Sequence, residues 1–483
     1  MSPPIPRRGH VAPPSLSKTI RSHPMKGSVR RSWMTLSLAL AVMLTLAACG
    51  GAPAAPSTTS TVAAPTPAAT EAATEAATSA PTEAPAEATT EATTAEGAPI
   101  VVGMLTDRSG TLAVYGPMLE NGFTLGLEYA TGGTNVVAGH PIQIVTKDTA
   151  SDPEKGVTLA REAIEKDSAS ILVGVPSSPV ALAVSGVANE NKIIYISAPA
   201  ATPDLTGKGF NPYTFRAGRT SVQDALTMGA ALMKSGTKFV QIAQDNAFGH
   251  GSASAFYNVV TALKGEFVIN NESAETAGTV FAPPDTTDFT PYINQILDSK
   301  AEVLIVTWSG TGFVPMFQQM QQLGVFDVMT VATGLGDNQT IAKGYADAIG
   351  SVGVSVYHYS LYENEVNSWL IEQHKAKFGT PPDLFTESGF NAAIMLVKAL
   401  EATKGDPAAD GVIKALEGLT FDGPKGSYTV RAEDHVLLQA MTLVKLKNTD
   451  DADFNFFELV TKFTPEETAP PCAVPAELNR CTK

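Results

Sequence analysis

The chain has 483 residues, too many for one small core, and its 44% hydrophobic and 17% charged content fits a globular protein with a sizeable low-complexity part. Against 48 Asp and Glu stand only 33 Lys and Arg, and the resulting charge of −15 argues against nucleic acid, whose phosphates demand a basic face. The three Cys and seven His do not cluster, and no Cys-x-x-Cys, His-Glu-x-x-His or Gly-x-x-x-x-Gly-Lys-Ser/Thr is present, so neither metal nor cofactor is expected.

Residues 26–49 carry a basic start with Arg30 and Arg31, then an apolar run shorter than a comfortable membrane span. The run ends Leu46-Ala47-Ala48-Cys49, which resembles the lipobox of bacterial lipoproteins. That resemblance implies cleavage before Cys49 and a diacylglyceryl thioether on its sulfur. A transmembrane anchor or a core helix ranks lower, because the Cys stands where the apolar run stops. Residues 1–24 are basic and Pro-rich; initiation at Met25 rather than Met1 would leave a signal segment of normal length. Residues 49–98 are almost entirely Ala, Thr, Pro, Glu, Ser and Gly. Such a segment buries too little apolar surface to offset chain entropy and reads as a solvated tether reaching on the order of 40 Å or more.

From residue 99 the pattern changes. Ile100 to Leu105 is a nearly unbroken β-branched run, as expected of a strand buried on both faces. A polar loop with Asp107, Ser109, Gly110 and Tyr115 follows, then a helical pattern from Met118 through Leu119, Gly122, Phe123, Leu125 and Gly126 to Tyr129. In open α/β sheets such a loop, at the carboxyl end of a strand, is where ligands bind. The unit then repeats, with strands at 141–147, 170–175, 192–196, 238–243, 301–307, 328–332 and 350–356. Between and after them come helices at 153–166, 180–189, 221–234, from 249, and at 289–297, 313–323, 365–378, 387–403 and 408–416. Strict alternation predicts parallel sheets with helices on both faces, hence an α/β protein of two doubly wound lobes. Gly426–Val430 and Gln439–Lys447 read as an antiparallel hairpin added at the end.

Several of these stretches match a family in order and spacing. Ile100-Val-Val-Gly-Met-Leu-Thr-Asp-Arg-Ser-Gly110, Leu172-Val-Gly-Val-Pro-Ser-Ser178, Ile196-Ser-Ala-Pro-Ala-Ala-Thr202, Phe215-Arg216, Asp245-Asn-Ala-Phe248 and Ser388-Gly-Phe-Asn-Ala-Ala393 are similar to segments of the leucine/isoleucine/valine-binding proteins. These are solute-binding components of ABC importers with the type I periplasmic binding fold, and the similarity runs from about 99 to 447. It implies two lobes joined by three crossovers, near Ala217–Arg219, Tyr357–Tyr359 and Pro424–Gly426, that close on a ligand. The organisation expected is 1–48 extension and signal, 49–98 tether, 99–218 with 358–425 as lobe 1, 219–357 with 426–464 as lobe 2, and a tail at 465–483.

Ser177 and Ser178 precede a helix, where hydroxyls and free N–H groups suit a carboxylate or simply cap the helix. The resemblance puts Ser178 at a ligand position, Pro199 where a backbone carbonyl is used, and Ala201 where a Thr hydroxyl is used, with Thr202 one place later. Tyr115 and Phe385 match pocket aromatics, and Phe248 replaces a family Tyr. Trp308 ends a strand, placed either to line the cleft or to fill the core. The family's ammonium-binding carboxylate falls near Leu335, which cannot pair with a cation, leaving Asp337 or Glu387 to rescue the site. The ligand-binding residues expected are thus Tyr115, Ser177, Ser178, Pro199, Ala201, Thr202, Phe248, Trp308, Asp337 and Phe385. The missing acid favours a solute without an α-ammonium, such as an organic acid or an amide, over an amino acid.

With Cys49 lipidated, Cys472 and Cys481 form an even pair in an oxidising compartment and are expected to be disulfide-bonded. An enzyme is disfavoured: no nucleophile elbow, Gly-x-Gly-x-x-Gly or metal cluster is present, and Asp107, Asp245 and Asp337 read as caps. The expectation is a lipid-anchored, monomeric, extracytoplasmic binder that hands its solute to an ABC permease and has no nucleic-acid partner. A ligand-sensing lipoprotein that signals without transport is the alternative.

Overall fold

In a computed structural model, which describes residues 97–269 and 278–481, the first apolar run forms β1 (Ile100–Thr106), buried at all but one position. The predicted signal segment 1–48, Cys49 and nearly all of the tether lie outside the described residues. Lobe 1 continues with α1 (Gly116–Ala130), β2 (Val136–Val137), β3 (His140–Asp148), α2 (Pro153–Glu165), β4 (Ile171–Gly174), α3 (Ser178–Asn191), β5 (Ile194–Ser197) and β6 (Thr214–Arg216). Its sheet runs β2-β3-β1-β4-β5-β6, parallel except for the β2–β3 pair. Strand β1 lies between β3 and β4, so the chain reverses its winding there and a crevice opens at the strands' carboxyl ends.

The chain crosses to lobe 2 after Arg216. There it forms α4 (Ser221–Ser235), β7 (Lys238–Gln244), α5 (Ala247–Ala262), β8 (Glu266–Phe267), β9 (Thr279–Ala282), α6 (Thr290–Asp298), β10 (Val303–Thr307), α7 (Phe313–Gln322), α8 (Val325–Val328), β11 (Thr330–Thr333), α9 (Asn338–Gly344) and β12 (Val352–Ser355). Strands β11, β10, β7 and β8 form a second parallel sheet, with β9 also on β7. The winding reverses again at β7, between β9 and β10. Polar caps mark where several of the helices start. Asp152 accepts the N–H groups of Glu154 and Lys155 ahead of α2, Asn246 caps α5, and Thr220 with Gln223 makes a reciprocal capping box on α4.

A second crossover returns the chain to lobe 1 for α10 (Glu365–Phe378), α11 (Thr386–Ala402), α12 (Ala409–Leu416), β13 (Thr420–Gly423), β14 (Gly426–Val430) and β15 (Leu437–Leu438). Helix α11 is buried at 14 of its 17 residues and lies against α1. Their backbones touch through glycines: a Cβ on Gly122 would stand 2.0 Å from Thr386 O, and one on Gly389 2.2 Å from Leu119 O. Val102, Met104, Val173 and Ile196 of the lobe 1 sheet pack on this pair, whereas Leu105, Leu172 and Tyr195 face α2 and α3. A third crossing leads to β16 (Met441–Leu446) and β17 (Phe457–Phe463), which form an antiparallel sheet with β12 in lobe 2.

Three sequence expectations need correction. Gly426–Val430 and Gln439–Lys447 do not pair. Strand β14 pairs with β13 across the two-residue loop Pro424-Lys425, and β16 pairs with β12 and β17. The third crossover therefore lies at Gln439–Ala440 rather than Pro424–Gly426. Residues 426–438 belong to lobe 1, because Tyr428, Val430 and Leu437 are buried in its core. Strand β12, read as one more parallel strand, is antiparallel to β16, and among the described residues its one β-bridge to the parallel sheet is Gly334–Val354. In the tail, a disulfide joins Cys472 to Cys481 across a separation of 9 residues.

Candidate functional site

The loops that leave β1, β4 and β5 face those that leave β7, β10 and β11 across a cavity of about 330 Å³. That volume sits at the small end of the roughly 300–1,000 Å³ typical of ligand sites. The lobes are closed on it. Tyr115 Oη accepts the Gly310 N–H at 3.1 Å, Thr111 O accepts the Thr311 N–H at 3.1 Å, and the Asp383 carboxylate accepts the Asn338 N–H at 3.1 and 3.2 Å. In each pair the first residue belongs to lobe 1 and the second to lobe 2. Gly310 permits the approach: it has φ +74°, and a Cβ there would stand 2.1 Å from Thr111 O.

Eight residues expected from the sequence line the cavity: Tyr115, Ser177, Ser178, Pro199, Ala201, Phe248, Trp308 and Phe385. Tyr115 and Phe385 meet edge to face at 4.8 Å, and Trp308 meets Phe289 the same way at 5.0 Å. The Trp308 indole N–H has no protein acceptor among the described residues. Ser177 stands at the N-cap of α3, yet its hydroxyl makes no bond to the first turn. Ser178 Oγ accepts the Thr202 N–H at 3.2 Å, so its own O–H remains a donor.

Thr202 and Asp337 do not line the cavity. Thr202 is fully buried; its hydroxyl accepts the Asp204 N–H, which caps a short 3₁₀ turn, and its carbonyl accepts a 2.5 Å bond from Arg216. Ala201 therefore takes the cavity position with no hydroxyl to offer. Asp337, also fully buried, caps α9 through the Thr340 N–H at 3.0 Å and the Thr340 hydroxyl at 2.6 Å. Leu335 takes the cavity-facing place instead. Glu387 lies outside the cavity, bonded by Tyr428 and Asn391 at 2.6 Å each and 3.7 Å from Lys425 Nζ. Asp107 and Asp245 lie outside it too: Asp107 ties the β1 loop to Thr149 and Ser151, and Asp245 meets His250.

Sequence reasoning missed Arg219, Asp224, Gln244, Phe313 and Tyr345, all of which line the cavity. Gln244 holds the loop after β10 through both its amide atoms, to Ser309 O and Ser309 Oγ. Arg219 and Asp224 form an ion pair with N–O contacts of 3.3 Å. Burial pushes the Asp224 carboxyl up although Arg219 pulls the other way, and burial then Asp337 push the Tyr115 phenol up, so Tyr115 is a neutral donor at any physiological pH. Among the described residues, Arg219 and Asp224 are the only charged residues on the cavity wall.

The sequence matches the family model for periplasmic binding proteins over residues 99–452. The chain belongs to this family. It is 24% identical over 369 residues to Leu/Ile/Val-binding protein homolog 6 of Brucella melitensis, covering 75% of this chain and 91% of that protein. An ABC-type branched-chain amino acid transporter structure from Rhodopseudomonas palustris CGA009 is 33% identical, with a TM-score of 0.65 over 80% of this chain and 100% of the other. A Rhodopseudomonas palustris solute-binding protein in complex with benzoate shares the fold at 24% identity, with a TM-score of 0.67 over 76% of this chain and 97% of that one. The family is one of solute-binding proteins, which implies an extracytoplasmic location. Among the described residues no helix is long and apolar enough to cross a membrane.

Proposed function

We propose that this protein is the extracytoplasmic solute-binding lipoprotein of an ABC importer. It captures a small carboxylate- or amide-bearing solute between its lobes and presents it, as a monomer, to a membrane permease. The observation that carries this reading is the closed cavity lined from the strand ends of both lobes. A solute touching both lobes stabilises the closed form by its differential affinity, and a permease reads that shift. Relatives named for leucine, isoleucine and valine, and a fold relative that holds benzoate, leave the solute class open. The lining favours a solute without an ammonium. Asp224 is already paired with Arg219, Leu335 lines the cavity near the place where the resemblance puts the family's acid, and Asp337 and Glu387 are committed elsewhere. An ammonium buried there would lack a free anion.

A thermal-shift panel of amino acids, organic acids and amides tests this. A true solute at about a thousand times its Kd raises stability by roughly 4 kcal/mol. Acids or amides should shift the transition. Shifts with leucine, isoleucine or valine alone, abolished by Asp337→Asn, would show Asp337 to be an ammonium partner. Lipid anchoring is tested separately: Cys49→Ser should accumulate as unprocessed precursor without lipid label.

A further inference from the structure

We propose that Arg219 is the carboxylate anchor of this cavity and that the preferred solute is a single-ring acid. The inference rests on the cleft being a solute site and deepens that reading.

Arg219 is the only cation on the cavity wall among the described residues, and its N–H groups are not all used. A guanidinium has five. Nε donates to Asp224 and one N–H of Nη1 to Pro199 O, both at 3.3 Å, and Nη2 lies 3.3 Å from the Asp224 carboxylate. At least one N–H on each terminal nitrogen is left over, and the planar N–H groups of a guanidinium suit a carboxylate. The two bonds and the ion-pair contact already made are long, so the guanidinium is held in place without being saturated. Asp224 also feels the buried Lys425 ammonium, though more weakly than it feels Arg219.

The surroundings give the rest of the solute its shape. Arg219 lies 5.7 Å from the centre of the Phe385 ring, which meets Tyr115, and Phe248 and Trp308 line the same cavity. Pro199, whose carbonyl Arg219 holds, follows β5 beside Ser177 and Ser178, so the unused Ser177 hydroxyl belongs to the same polar wall. The Arg219 side of the cavity therefore donates hydrogen bonds with positive charge, and aromatic rings stand beside it. A ring of carboxylic-acid type meets both. An α-amino acid brings an ammonium as well, and the one anion on the cavity wall among the described residues, Asp224, is already engaged by Arg219.

Phenylacetate, phenylacetamide and phenylalanine share a ring and differ in charge, so their affinities, measured by calorimetry on the wild type and two variants, decide the matter. The wild type should bind phenylacetate best. Arg219→Met should weaken phenylacetate by about ten- to a hundredfold, the loss of a charge-assisted bond, and leave phenylacetamide almost unchanged. Asp224→Asn, which frees Arg219 from its own anion, should tighten phenylacetate. A wild type that prefers the amide or the amino acid, an Arg219→Met variant that keeps phenylacetate affinity, or an Asp224→Asn variant that binds phenylacetate more weakly would overturn the assignment while sparing the solute-binding reading. If no solute of any class in the wider panel binds the wild type, that reading itself fails.

Discussion

Single residues decide what the cleft can hold and whether it can close. The sequence made the lining of lobe 1 legible because Ser177, Ser178, Pro199 and Ala201 follow strands directly, where the fold leaves little freedom. It could not tell Thr202 from Ala201, since a one-residue step decides which faces the cavity and which caps the 3₁₀ turn. Arg219 and Asp224 escaped notice for a different reason: Arg219 sits at a crossover and Asp224 in the first turn of α4, and neither directly follows a strand. Ser178 both receives the Thr202 N–H and offers a hydroxyl toward the cavity wall. Ser178→Ala should therefore weaken solute binding by roughly 1–3 kcal/mol, and unchanged affinity by calorimetry would leave it only its loop-holding role. Gly310 tests closure itself. With φ +74° and Thr111 O in the way of any Cβ, Gly310→Ala strains its own loop and pushes the lobes apart. The expected result is a marked loss of affinity with little change in the melting temperature of the solute-free protein. Equal affinity would mean that the lobes close without this contact.

At the scale of elements, the long periodic strands and helices of both lobes could be read from sequence because each carries its own pattern, and several helices, such as α2, α4 and α5, their own cap. What could not be read were short strands whose existence depends on a neighbour. Residues 420–423 alternate exposed and buried and make β13 only because β14 folds back on them, and β16 finds its partners in β12 and β17, far away in the chain. Misassigning β14 hid the role of Lys425, in the loop between β13 and β14. Its ammonium donates to Val356 O at 3.0 Å and to Gln439 Oε1, and lies 3.7 Å from Glu387, with both charged side chains fully buried. Val356 follows the second crossover's strand and Gln439 lies on the third crossover, so one buried ammonium ties both connections together. Burial lowers the Lys425 pKa and Glu387 opposes that fall. Lys425→Met would strand the Glu387 charge and should cost about 3–5 kcal/mol in urea unfolding, while adding Glu387→Gln should recover much of it. If the double variant is no more stable than the single one, the lost bonds to Val356 and Gln439, rather than the stranded charge, explain the cost.

For the whole molecule, function lies in the difference between an open and a closed form, and Asp383 gives that difference a pH dependence. It belongs to the loop before α11 in lobe 1, and its carboxylate reaches across to the Asn338 N–H at the start of α9 in lobe 2. The residue as a whole is part-buried, but its carboxylate is enclosed. Burial, then the Asp337 carboxylate, push it up to about 7 from an ordinary 3.8, against two backbone N–H bonds that favour its charge. Its other titratable neighbours are the phenols of Tyr115 and Tyr357, which burial keeps neutral. Opening the cleft would take Asn338 and Asp337 away from it and should bring the group back toward its ordinary 3.8. The sign follows. Below about pH 4 both forms are protonated and closure carries no penalty; between about 4 and 7 closure takes up a proton; above about 7 it buries an ionised carboxylate. Solute affinity should therefore fall as pH rises through that window, by up to about tenfold per unit, and then level off. The slope is best measured with a neutral amide, so that the solute itself does not titrate, from about pH 5 to about pH 8. Asp383→Asn keeps an acceptor for the Asn338 N–H and removes the proton, so its affinity should be nearly flat across the same range. A variant that retains the wild-type slope would place the titrating group elsewhere, and a flat wild type would mean that Asp383 keeps its ordinary acidity in the closed cleft.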